Sequence, residues 1–107
     1  MNRSAPADHS GDIMSVVSFS DYRTLRGATN DELRYRLREA TIKEVETGLT
    51  QRQYELVTLY YYRGYTMPQL AARFGIHKST VSRGLAGARR RLKKRILQRL
   101  AQEQAAI

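Results

Sequence analysis

From Leu49 to Gly75 the sequence LTQRQYELVTLYYYRGYTMPQLAARFG places a helix start, a stop, a second start and a second stop in close succession. Thr50 with Gln53, and Thr66 with Gln69, each set a threonine three residues ahead of a glutamine. At that spacing the hydroxyl accepts from the N3 amide while the glutamine side chain returns to the cap amide, satisfying two orphan donors at once. Leu49 and Tyr54 hold the staple positions around the first box. Gly64 and Gly75 supply the stops, and Pro68 falls in the first turn of the second helix, where its missing N–H costs little. The first of these helices is apolar over much of its circumference (Leu56, Val57, Leu59, Tyr60, Tyr61), which predicts a path through the domain centre, with Tyr62 pointing away as the surface candidate. Aromatic residues at helical spacing are read here as core rather than as a base-stacking platform.

After a short GIHK link, Lys78 or Ser79 opens a last helix that can run to about Gln102. Two helices joined by about four residues with a glycine in the turn describe a helix-turn-helix. Ala71 is small where the helices cross, and Gly75 can take the positive φ of a sharp turn. Leu70, Phe74, Ile76 and Val81 are apolar where the second helix folds back onto the first. Counted from Val81, residues Leu85, Ala88 and Leu92 lie within roughly 40° of one line, a buried stripe. Ser79, Arg83, Ala86, Arg90 and Lys94 lie on the opposite side, between roughly 140° and 220°. A solvated basic tail has no need of such an apolar seam. Gly84 and Gly87 each cost up to about 1 kcal/mol relative to alanine; Gly87, at the edge of the front face, would let the backbone approach DNA closely, and equally the two glycines could serve to loosen or kink this helix.

Ahead of these helices, TNDELRYRLREATIKEVETG predicts another, capped by Thr29 or Asn30, with Asp31 and Glu32 at its positive end and Gly48 past its last turn. Its apolar residues form two stripes, Leu33, Leu37 and Ala40 on one side and Tyr35, Ile42 and Val45 on another. One serves its own core, and the other favours a protein contact such as a homodimer. Residues 1–20 are small, polar and expected to be flexible, and Met14, followed by SVVSFSDY, offers an alternative natural start. The expected division is thus a flexible segment (1–20), an N-terminal helical segment (21–48) and a helix-turn-helix domain (49–102) in one small all-α bundle whose last helix is extended and basic.

Charge narrows the function. Residues 1–49 carry seven Lys or Arg against eight Asp or Glu, net −1, and residues 50–107 carry twelve against two, net +10, giving the chain its +9. A cation concentrated in one half is the footprint of a polyanion binder. There is no cysteine, and the two histidines, His9 and His77, have no ligand-like spacing, so neither a disulfide framework nor a metal site is expected. IMSVVSF is too short and too polar for a signal or membrane segment, which leaves a cytoplasmic protein as the expectation. No nucleophile with its base, Gly-rich phosphate loop or carboxylate cluster stands at a usable spacing, so an enzyme and a cofactor are not expected.

The Leu49-Thr50 opening, Gly64, Leu70-Ala71, Gly75-Ile76, Thr80-Val81, Leu85, Ala88-Arg89 and Leu92 together resemble region 4 of bacterial sigma factors, most of all the small extracytoplasmic-function type. The resemblance spans roughly residues 49–95. It implies a helix-turn-helix that reads the −35 promoter element. Region 4 usually has basic or polar side chains where this chain has Gly84, Ala86 and Gly87, so the base contacts it implies are confined to Ser79, Thr80, Ser82 and Arg83. The first 48 residues leave no room for the region that melts the −10 element, and a complete sigma factor is not expected. The expected function is a sequence-specific DNA-binding transcriptional regulator that sets the helix from Ser79 into the major groove of double-stranded DNA. The candidate DNA-binding residues are His77, Lys78, Ser79, Thr80, Ser82, Arg83, Arg89, Arg90, Arg91, Lys93 and Lys94. The alternative is an adaptor of the same fold that binds RNA polymerase or another protein.

Overall fold

The computed structural model describes Ile13 and residues 30–105, with side chains described for Ile13 and residues 31–103. The expected flexible segment, apart from Ile13, and the capping side chains at Thr29 or Asn30 lie outside the described residues. The fold is all-α, with no strand among the described residues: α1 (Asn30–Thr47), α2 (Gln51–Val57) running on into a π-helical turn (Thr58–Tyr62), α3 (Met67–Phe74) and α4 (Lys78–Ala105).

Both capping boxes form. Thr50 Oγ1 accepts from Gln53 N at 3.2 Å while Thr50 N donates to Gln53 Oε1 at 3.1 Å. The corresponding distances at Thr66 and Gln69 are 3.2 and 2.9 Å. Leu49 packs half-buried against one core, while Tyr54, its expected staple partner, is 40% exposed. Gly75 ends α3 at φ 66°, ψ 35°, the left-handed conformation that only glycine adopts readily, and the Ile76 amide closes the turn on Ala71 O at 3.0 Å.

The two cores are strung along α4. Toward its N-terminal half, Leu56, Tyr60 and Leu70 close over Val81 and Leu85, with Ala71, Phe74 and Ile76 packed around them. Toward its C-terminal half, Leu33, Leu37, Ala40 and Val45 of α1, with Val57 and Ile13, close over Ala88, Leu92, Ile96 and Leu100. Val45 therefore joins the buried side of α1, and the second stripe expected there shrinks to Tyr35 and Ile42, which are 65% and 40% exposed. The central helix lies between the cores as its composition predicts, but it does not stay α-helical. At Thr58–Tyr62 the amide of Arg63 reaches back to Thr58 O at 3.1 Å, the five-residue step of a π turn. The three tyrosines separate there: Tyr60 is buried, Tyr61 is half-buried with its ring edge-on to Tyr60 at 5.0 Å, and Tyr62 points outward.

Candidate nucleic-acid interface

Helix α4 begins where the carbonyl of His77 accepts from the amides of Thr80 and Val81 at 2.9 and 3.1 Å. From there Val81, Leu85, Ala88, Leu92 and Ile96 are each 0% exposed, so the apolar seam is buried along its whole length. On the side away from it Ser79, Arg83, Arg90 and Lys94 are exposed, and Ala86 is half-buried. Two of the five groups on the front of this helix are thus small or hydroxylic, and three are cationic. His77, Lys78, Thr80 and Ser82 are also exposed, which brings the first turn and a half of α4 to the surface as one set. Ser79 Oγ lies 3.4 Å from His77 Nδ1, and Arg83 Nη2 donates to Thr80 Oγ1 at 3.4 Å. No carboxylate among the described residues pairs with Arg83 or Arg90.

The run Arg89–Arg95 divides by helical angle. Arg89 and Arg91 flank the seam rather than oppose it, and their long stems reach back into the fold. Arg89 is half-buried and donates to the Tyr61 hydroxyl at 3.1 Å. Arg91, though exposed, donates from Nε to the carbonyl of Gly48, beyond the last turn of α1. Arg95 and Arg99 close on Glu44 at 2.6 and 2.8 Å, and Glu44 itself is only 3% exposed. Burial pushes the Glu44 carboxyl up, but the hydrogen bonds and positive charges of Arg95 and Arg99 outweigh it and hold the group below the usual carboxylate range. A Cβ at Gly48 would collide with the Glu44 carboxylate and the Arg95 guanidinium, so this residue is small because the clamp closes over it. Arg89, Arg91 and Arg95 are thereby engaged inside the molecule, and Arg90, Lys93 and Lys94 are exposed.

The sequence alone does not separate these roles. It has no signal for Glu44, which meets its arginines from 51 and 55 positions away. Nor does it mark Arg52, stacked 4.5 Å from the Phe74 ring centroid, or Arg73, which lies over the Tyr65 ring at 5.6 Å and donates to its hydroxyl. Gly84 proves to be a packing residue: a Cβ there would come within 2.7 Å of Leu56 Cδ1, so α2 and α4 meet where that side chain is missing.

The exposed front, the sealed seam and the left-handed turn between α3 and α4 coincide with a family match. Residues 47–94 match the model of sigma-70, region 4. This segment is a sigma region 4-like helix-turn-helix. Region 4 domains are non-enzymatic, bind DNA and contact RNA polymerase. The match covers less than half of the chain and leaves out α1 before Thr47 and the last turns of α4. Neither the curated proteins nor the solved structures contain a significant match to the chain. No helix among the described residues is long and apolar enough to cross a membrane.

Proposed function

We propose that this chain is a cytoplasmic, sequence-specific DNA-binding transcriptional regulator that reads DNA with the N-terminal part of α4, residues 49–102 forming the DNA-binding unit and α1 bracing it. One observation carries the reading: a single helix with its back sealed at 0% exposure from Val81 to Ile96 presents Ser79, Arg83, Arg90 and Lys94 to solvent on the other side. A major groove admits such a helix, and its edges are read by groups of this kind. Arg83, already turned over the Thr80 hydroxyl, has the fork that pairs with the two acceptors of a guanine. Ser79, Thr80 and Ser82 bond to bases or phosphates, and His77, Lys78, Arg90, Lys93 and Lys94 meet the backbone. Arg89 and Arg91 contribute with whatever guanidinium N–H groups their internal bonds leave over.

The test is fluorescence anisotropy of labelled duplexes selected from a random pool, titrated at several salt concentrations. If roughly five cations neutralise phosphates, log affinity falls against log salt with a slope near −4 to −5. A slope near zero, or equal binding to selected and random duplexes, rejects the reading. The Arg83→Ala variant relaxes sequence preference, costing about 1–3 kcal/mol on the selected duplex and little on a random one.

A second reading, an adaptor that uses the region 4 fold to hold RNA polymerase, draws on a different observation. Ala86 and Gly87 leave the middle of the front face without a long side chain, while Gly84 on the inner side is committed to Leu56. Repeating the selection with RNA polymerase bears on this: a −35-like motif enriched only with polymerase favours a sigma-like role, a palindrome enriched without it favours a dimeric repressor, and polymerase binding with no motif enriched by the chain favours the adaptor.

A further inference from the structure

Four large apolar side chains stand exposed among the described residues: Tyr35, Ile42, Tyr54 and Tyr62. Three of them, Ile42, Tyr54 and Tyr62, line one groove between α1 and the α2–π segment, whose floor includes buried Val45. Tyr35 stands two turns before Ile42 on the same face of α1 and prolongs the strip. Isolated exposed apolar residues are ordinary on a protein surface, but this convergence marks a contact surface.

We propose that a second copy of this chain docks in the groove, face to face about a two-fold axis. An interface of that symmetry uses the same patch twice, so the patch must complement itself. Glu46 and Arg63 line this groove together, one acid and one base, and no ion pair joins them within the chain. A two-fold axis through the groove brings Glu46 of one protomer to Arg63 of its partner, and the apolar strip meets its own image. Charge also selects the occupant. A chain of net charge +9 repels its own copy wherever the cation excess faces it, and the groove is a place where it does not. The same balance gives a polyanion no purchase there. No groove residue belongs to α3 or α4, so docking leaves the exposed front of α4 uncovered on both protomers.

Sedimentation velocity of the full chain across a range of concentrations tests this without DNA. The expected result is a monomer that converts to dimer as concentration rises. Ile42→Asp weakens the dimer on the order of tenfold or more. Glu46→Arg weakens it, and Glu46→Arg combined with Arg63→Glu restores it, because the pair is reversed on both protomers. Circular dichroism melting keeps the comparison to variants that fold. A chain that stays monomeric throughout overturns the proposal, as does a dimer indifferent to all three variants or a double variant as impaired as the single one. Capture of a different protein by Ile42 in a chain that never self-associates overturns it too. Dimerisation does not depend on the DNA-binding reading: loss of duplex binding with an intact dimer would remove that reading and leave this one standing.

Discussion

Gly84 and Gly87 sit three residues apart in one helix under different constraints. A methyl at Gly84 would press on Leu56, which is 2% exposed and enclosed by Tyr60, Leu70, Val81 and Leu85. Overpacking of about 1–3 kcal/mol there outweighs the gain of up to about 1 kcal/mol in helix propensity, so Gly84→Ala lowers the thermal midpoint. At Gly87 the nearest atoms to a Cβ are the flexible ends of Arg90 and Gln53, at 3.8 and 3.9 Å. Gly87→Ala therefore stabilises the fold by up to about 1 kcal/mol, and if the same variant binds DNA less well, close backbone approach is the reason for the glycine. Arg90 and Arg91 make a second pair. Arg90→Ala reduces affinity for all duplexes with an unchanged melting curve, whereas Arg91→Ala loses the bond to the Gly48 carbonyl and about 1–2 kcal/mol of stability in urea denaturation. Helical angle alone placed Arg83 and Arg90 on the side of α4 away from the seam. It could not show that Arg89 and Arg91 have acceptors within reach, because Tyr61 and Gly48 come to them from outside α4.

Among the elements, α3 was legible to the residue: Thr66, Pro68, Gln69 and Gly75 each have one local use, and all of them are realised in the structure. Local chemistry decides such ends, so a sequence displays them. Thr66→Ala removes one half of the box and costs about 1 kcal/mol, measurable as a lower urea midpoint. The π turn and the α1–α4 clamp were not legible, since one depends on how three adjacent tyrosines divide between two cores and the other on residues more than fifty positions apart. The clamp has an asymmetry that experiment can read. Replacing both Arg95 and Arg99 by alanine strands a buried carboxylate and costs about 3–5 kcal/mol, whereas Glu44→Gln leaves two arginines that are 41% and 33% exposed and can turn to water, so it costs less. Because the folded Glu44 pKa lies below its unfolded value, the unfolded chain binds the extra proton as the solution turns acid. The stability contributed by Glu44 is complete above the unfolded carboxylate value of about 4.3 and is lost as pH falls through the lower folded one. Urea midpoints of Glu44→Gln therefore decline less steeply on the acid side than those of the wild type.

For the molecule as a whole, the lopsided charge and the helical punctuation announced a basic helix-turn-helix, and the match to region 4 agrees with both. What they did not announce is that the inner stripe of α1 closes over the last turns of α4. Leu92, Ile96 and Leu100 of α4 are covered by Leu33, Leu37, Ala40 and Val45, and stripping that cover exposes side chains worth about 1.5–3 kcal/mol each. A chain beginning at Leu49 loses on the order of 5 kcal/mol, as much as many domains possess, and shows no cooperative transition in urea where the full chain does. The neighbours Leu56 and Val57 sit in different cores, and α4 runs unbroken past both. Transplanting the arginine-bearing side of α4 into another scaffold therefore means carrying along Ile96 and Leu100, which lie beyond residue 94 where the family match stops, together with the helix that shelters them. A chimera cut at the family boundary would inherit the lettering and leave the spine behind.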